Sequence, residues 1–336
     1  MLAAALTAAI VLPLAGAARP EIPAPPPAPA AHAPLTPSTL HSAYAANRAN
    51  ADAAARMAAA HGDTGRAAAD RALVAPSRHL LAFDGRGAGQ ATEVLGDLAH
   101  ADRIAVLVPG SDTSLDTYTR FHRTAAALYA ELGRRAAPGT RVAVIAWLGY
   151  ETPATVSTTV TTTTRADEAA PRLRAFLRRL HTAVPATARL TLVCHSYGSV
   201  VCGRTAPGLT PDDAHAVQGA ADAHAAPRGA AAHGPDDIVL IGSPGTGADS
   251  AAALHTRARI WAARGSGDWV AHVPHLSAGL FGTTVGFGTD PVSAAFGARV
   301  FDAAGAGHSG YFTPGSAALA NLARITLDEP SEVTRA

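Results

Sequence analysis

Six apolar runs without polar alternation constrain this chain more than any other feature. They are RIAVLVPG (Arg103 to Gly110), RVAVIAWLG (Arg141 to Gly149), RLTLVCHS (Arg189 to Ser196), DDIVLIGSPG (Asp236 to Gly245), ARIWAARGSGD (Ala258 to Asp268) and ARVFDAAGAGH (Ala298 to His308). A strand that is apolar at every position must be covered on both faces. Helical spans lie between the runs: Tyr118 to Arg135, about Asp167 to His181, and one opening at Tyr197. Strand and helix in alternation require crossover connections and so a mostly parallel sheet. The expected fold is therefore α/β: a mostly parallel twisted sheet with helices on both faces. Ahead of the runs, HLLAF and ATEVLG flank DGRGAGQ (Asp84 to Gln90) and read as a hairpin. Gly85, Gly87 and Gly89 serve the turn, because no long amphipathic helix opens after them as a dinucleotide loop would need.

The rest of the chain divides by composition. Residues 1–18 contain LAAALTAAIVLPLAGAA, an uncharged run closing on a small-x-small pattern at Ala15-Gly16-Ala17. It fits an export signal without a basic start; an uncleaved membrane anchor or a disordered terminus are the alternatives. Secretion or anchoring outside the cell is the expected location, against a cytoplasmic alternative. Residues 19–37 are proline-dense and read as an extended spacer. Residues 38–78 form an alanine-rich helical segment with Ser38 as N-cap, split near Gly62 to Gly65. Residues 79–327 form the folded body, interrupted at Gln218 to Pro235 by an Ala/His/Gly-rich stretch without periodicity. Hydrophobic residues make up 48% of the 336, which supports a large core, and the net charge is +1 with no lysine. Scattered arginines and only 5% aromatics give no argument for a nucleic-acid partner. The histidines of the Gln218 to Pro235 stretch lack metal-ligand spacing, and neither metal nor cofactor is expected.

In open α/β sheets ligands gather beyond the carboxyl ends of the strands. The first run delivers Gly110, Ser111, Asp112 and Thr113 there; the third, Ser196; the fourth, Gly242 to Gly245; the fifth, Asp268; the sixth, His308. A hydroxyl, a carboxylate and an imidazole thus meet at one rim in the order Ser, Asp, His. That order is the one used by α/β-hydrolases. Asp290 and Asp302 compete with Asp268 for the carboxylate. Ser243, before a proline, is either a pocket hydroxyl or a turn residue. Ser196 could also be an ordinary helix N-cap.

The segment from His79 to Leu327 resembles an α/β-hydrolase. More narrowly, it is similar to an actinobacterial α/β-hydrolase family labelled as a domain of unknown function. The resemblance rests on HLLAFDGRGAGQATEVLGD, IAVLVPG, CHSYGS and GAGHSGYF. The departure is Cys194, which stands where the family's elbow carries glycine; a small apolar side chain there is tolerable at a cost of ~1 kcal/mol. The resemblance implies Ser196 as nucleophile, His308 as base, Asp268 as its orienting carboxylate, and backbone N–H groups of Ser111 and Tyr197 as the oxyanion hole. Cys194 and Cys202 either form an elbow-to-helix disulfide, if the chain is exported, or pack as small thiols. The loop TPATVSTTVTTTTRADE (Thr152 to Glu168) overhangs the same rim and reads as a polar connector capped by Thr164 or Asp167, with a substrate-channel wall or a lid as the alternatives. The expected activity is cleavage of a small-molecule ester or related acyl bond. An acyltransferase with the same triad, or a non-catalytic binding protein on this scaffold, are the alternatives.

Overall fold

A computed structural model of the chain describes residues 22–29, 34–209, 234–273, 277–280 and 283–336. The signal-like run 1–18 and almost all of the 218–235 stretch lie outside the described residues. Among the described residues the strands are β1 (His79–Asp84), β2 (Gln90–Gly96), β3 (Arg103–Val108), β4 (Val142–Leu148), β5 (Arg189–His195), β6 (Asp237–Ile241), β7 (Arg259–Ala263), β8 (Ser277–Leu280), β9 (Thr283–Gly286) and β10 (Arg299–Val300). Eight make one sheet in the order β1-β2-β4-β3-β5-β6-β7-β10, and β8 and β9 form a separate hairpin. The β1–β2 and β2–β4 pairs are antiparallel, and the pairs from β4 to β10 are parallel. The expected α/β class and mostly parallel sheet are what the chain adopts.

Among the described residues the helices that accompany the sheet are α1 (Leu40–Ala60), α2 (Thr64–Leu73), α3 (Tyr118–Arg135), α4 (Thr164–His181), α5 (Gly198–Thr205) and α6 (Ala317–Thr326). Each strand contributes to two cores because successive side chains point to opposite faces. Ile104, Val106 and Val108 meet α4 and α5 on one side. Ala105 and Leu107 meet α3 and α6 on the other. Helix α3 follows from spacing: Tyr118, Phe121, Ala125, Leu128 and Leu132 are buried on one stripe. Each such Leu or Phe contributes about 1.5–3 kcal/mol by leaving water. Arg134 and Arg135 close the last turn, where cations suit the helix dipole, and both pair with Glu131.

Several local expectations are corrected. Ser38 does not cap α1; Thr39 precedes the helix, and its hydroxyl bonds Pro34 O and Thr36 O in the entering turn instead. The described part of the proline-rich segment is not a free spacer. Leu35 and Ala28 are buried, Asn50 Nδ2 donates to Pro26 O, and Thr182 Oγ1 donates to Leu35 O. Proline denies this strap a ladder but not a seat against the body. Helix α1 lies along the edge strand β1, where Asn47 Nδ2 donates to the carbonyl of Leu81 at a register irregularity. An exposed sheet edge is thereby covered. The sixth apolar run joins the ladder with β7 at Arg299 and Val300, and Gly307 makes an isolated parallel bridge to Gly267. Between these points Phe301 bridges Arg335, and Asp302 Oδ1 accepts from Ala304 N in a turn where Ala304 has φ +47°. Among the described residues no helix is long and apolar enough to cross a membrane.

Candidate active site

The turn from β5 into α5 carries Ser196 at φ +55°, a left-handed conformation that is costly for any residue with a Cβ. The turn persists because its surroundings fix it. Ser196 N donates to Ile241 O on β6, Ser199 N donates to Ser196 O, and Ser199 Oγ donates to Cys194 O. Gly198 is obligatory: a Cβ there would stand 2.5 Å from Val108 O. Gly110 is equally constrained, since its Cβ would lie 2.6 Å from that of Ser196. Cys194 is fully buried and bonded to Cys202 across the elbow, with Cα atoms 6.4 Å apart. Of the two readings open for the cysteines, the disulfide is the one adopted.

His308 Nε2 lies 2.9 Å from Ser196 Oγ, and His308 Nδ1 lies 2.9 and 3.2 Å from the two carboxylate oxygens of Asp268. An ionised carboxylate only accepts, so Nδ1 donates and Nε2 is left free to accept the serine proton. Asp268 sits beyond β7 at the start of a short 3₁₀ turn, where its Oδ1 also accepts from Val270 N. Burial, the largest influence, pushes this carboxyl up; hydrogen bonds from His308, Tyr311 and Val270 N–H outweigh it and hold it below the usual range. The competing carboxylates are engaged elsewhere. Asp290 pairs with Arg264, and Asp302 caps its own turn. Ser243 is a turn residue, its hydroxyl bonding N–H and C=O of Gly245.

Three participants carry no clear trace in the sequence. Tyr311, fully buried, donates its hydroxyl to Asp268 Oδ2 and accepts from Gly265 N. His195 donates Nε2–H to the carbonyl of His308 at 2.7 Å, tying the histidine loop to the elbow. Desolvation, with the repulsion of His308 second, pushes His195 down to about 4, so it is neutral at pH 7. Gly242, φ +55°, has no room for a side chain: a Cβ would meet Asp268 Oδ2 at 2.7 Å and His308 Nδ1 at 3.2 Å. The available signals for these roles were an aromatic hydroxyl three residues after His308 and the rim position of Gly242 on the fourth apolar run.

Ser111 and Tyr197 both line the cavity that opens over Ser196. Among the described residues, the backbone N–H of neither donates to a protein acceptor. Their loops are held firmly. Tyr150 OH donates to Pro109 O, Asp112 N to Pro153 O, and Thr113 N to Thr152 Oγ1. Tyr197 OH donates to Thr162 O and accepts from Ala166 N, pinning the start of α4. The Thr152 to Glu168 loop is thus more than a connector: Thr155, Val160 and Thr161 form cavity wall. Thr163 rather than Thr164 or Asp167 occupies the N-cap of α4, with its hydroxyl on Asp167 Oδ2. The cavity measures about 870 Å³ and is lined mostly by apolar groups. Among the described residues no group of three or more His, Cys, Asp or Glu side chains could hold a metal ion.

Residues 84–278, more than half of the chain, match a family model described as alpha/beta hydrolase. An uncharacterized protein of Mycobacterium tuberculosis strain H37Rv is 30% identical over 276 residues, covering 74% of this chain and 39% of that protein. This chain therefore spans well under half of that relative's length. Among solved structures, a predicted CIB-like hydrolase from Thermoplasma acidophilum is 17% identical, covers 75% of this chain and 95% of its own, and has a TM-score of 0.40. An esterase named PE8 is likewise 17% identical, with 70% and 97% covered and a TM-score of 0.42. Those two likenesses are loose. The family match, which runs from the end of β1 through the elbow and the Asp268 turn, is the firm one: the chain belongs to the alpha/beta hydrolase family.

Proposed function

We propose that this protein is a serine hydrolase that cleaves an ester or related acyl bond through an acyl-enzyme on Ser196. One observation carries the reading: a single imidazole, His308, bridges Ser196 Oγ and the Asp268 carboxylate at 2.9 Å on either side. A serine hydroxyl is a weak nucleophile until a base takes its proton. His308 Nε2 takes it as Oγ bonds the acyl carbon, and Asp268 stabilises the imidazolium through Nδ1–H. The negative oxygen then faces the N–H groups of Ser111 and Tyr197, which have no competing acceptor among the described residues. As the tetrahedral adduct collapses, the bond to the leaving oxygen breaks and His308 delivers the proton to it. Water, deprotonated by the same imidazole, releases the acid and restores Ser196. Every step uses groups of this chain.

The disulfide beside the nucleophile supports a second element of the proposal, that the chain matures in an oxidising compartment outside the cytoplasm. Hydrolysis of p-nitrophenyl esters tests the catalytic reading. Ser196→Ala and His308→Ala are each expected to lower kcat by ~10³-fold or more, and Asp268→Asn by a comparable factor. Unchanged kcat in a folded Ser196→Ala protein would refute it.

A further inference from the structure

Helix α2 precedes the sheet and holds no residue of the triad, yet Arg66 in its first turn is buried. Helix preference does not put a guanidinium there, since the N-terminal end of a helix favours anions, and a buried charge needs partners. Arg66 has them on two sides. Its Nε donates to Asp116 Oδ1 at 2.7 Å, and a terminal nitrogen donates to Asp116 Oδ2 at 3.4 Å. The terminal nitrogens also donate to the carbonyls of Gly85 and Gly87, each at 3.0 Å. One planar fork thus ties the β1–β2 turn to the 3₁₀ turn Leu115–Thr117. The same two turns meet again where Leu115 N donates to Ala88 O.

That 3₁₀ turn closes the loop that opens at Gly110. Thr117 Oγ1 donates to the carbonyl of Asp112 at 3.0 Å, Asp112 N donates to Pro153 O, and Asp112 Oδ1 accepts from Thr155 N. Asp112 stands at φ +56°, a conformation that persists only where its neighbours over-determine it. The hold on its carbonyl comes from the turn that Arg66 grips, and the residue before it is Ser111. We propose that Arg66 is a positioning residue: acting through Asp116, it fixes the backbone of the Ser111 loop so that the Ser111 N–H points at the acyl oxygen in the transition state. Helix α2 then braces the active site from outside the sheet. This rests on Ser196 as nucleophile and Ser111 as oxyanion donor, both proposed above. Such a donor works only if it is in place before the charge develops, so a loosened loop costs turnover rather than substrate binding.

The test compares the full-length protein with Arg66→Lys, Asp116→Ala and Asp116→Asn in p-nitrophenyl ester hydrolysis. Each rate is divided by the concentration of sites that a fluorophosphonate titrates, which removes any unfolded fraction. A trifluoromethyl ketone gives the second readout: Ser196 Oγ bonds its carbonyl carbon, His308 takes the proton, and the adduct's negative oxygen lies where the acyl oxygen would. Arg66→Lys and Asp116→Ala are each expected to lower kcat about tenfold with KM little changed, less than the 10²–10³ that loss of a whole donor costs. The ketone's Ki is expected to rise by the same factor by which kcat/KM falls. Asp116→Asn, which keeps an accepting oxygen, is expected to recover most of what Asp116→Ala loses. Asp116 is exposed, so its variants decide the matter if the arginine variant does not fold. Unchanged kcat in the folded variants, or a fall in kcat with the ketone's Ki unmoved, overturns the inference and leaves the hydrolase reading intact. Absence of both ester hydrolysis and ketone binding in the unaltered protein removes the reading on which it rests.

Discussion

Tyr311 shows how a site can depend on a residue that its motif does not announce. Its hydroxyl satisfies Asp268 Oδ2 in a buried setting, where an unpaired carboxylate oxygen costs roughly 1–3 kcal/mol. Tyr311→Phe is expected to destabilise the fold by about that amount and to lower kcat about tenfold with little change in KM, measured by thermal unfolding and ester hydrolysis. His195 makes a pH prediction. It is held neutral down to about 4 in the fold, against 6.5 for the free group. Between those values the unfolded chain binds more protons than the folded one, so stability is full above about 6.5 and falls as pH drops toward 4. The loss is up to about 3 kcal/mol. Denaturant titrations across that window are expected to show the slope, and His195→Asn to flatten it; an unchanged slope in the variant would assign the dependence elsewhere. Ser196, Asp268 and His308 were legible as rim residues because strand ends are readable from apolar runs. Tyr311 and His195 were not, since their roles depend on which loops fold back onto the carboxylate and the histidine.

At the level of elements, the elbow joins β5 and α5 through a strained serine, an obligatory glycine and a disulfide. The elbow was readable because Gly198 sits two residues after Ser196, where only glycine escapes the Val108 carbonyl. Gly198→Ala is expected to unfold the turn or shift β3, with loss of activity exceeding that of a surface Gly→Ala change. The disulfide was left open by the sequence, because pairing depends on a Cα separation that spacing alone does not fix. Its closed loop is short, with a sequence separation of 8, so chain entropy assigns it about 2–3 kcal/mol. Unfolding of the protein in reductant, or of Cys194→Ala/Cys202→Ala, is expected to show that loss. Equal stability with and without the bond would mean that the elbow is held by packing alone. Strand lengths were over-read at β7 and β10, where apolar composition continues past the last ladder bond into the turns that carry Asp268 and His308.

For the whole molecule, the sheet and its two helical faces were legible because continuous apolar runs leave no other way to bury both sides. The packing of the proline strap and of α1 was not, since alanine and proline carry almost no periodic signal. Leu35 is the anchor of that strap, 4% exposed within the core of the α4 face. Leu35→Ala is expected to cost about 2–4 kcal/mol, read by chemical denaturation, and a cost near zero would mean that the strap rests on the surface without stabilising it. At the carboxyl rim of the sheet one hydroxyl lies against one imidazole. The most direct test of that central claim is the intact mass of the protein after treatment with a fluorophosphonate, followed by peptide mapping of the adduct. The account predicts a single covalent addition on Ser196, absent from Ser196→Ala and greatly slowed in His308→Ala; an unmodified folded protein, or an adduct on another residue, would contradict it.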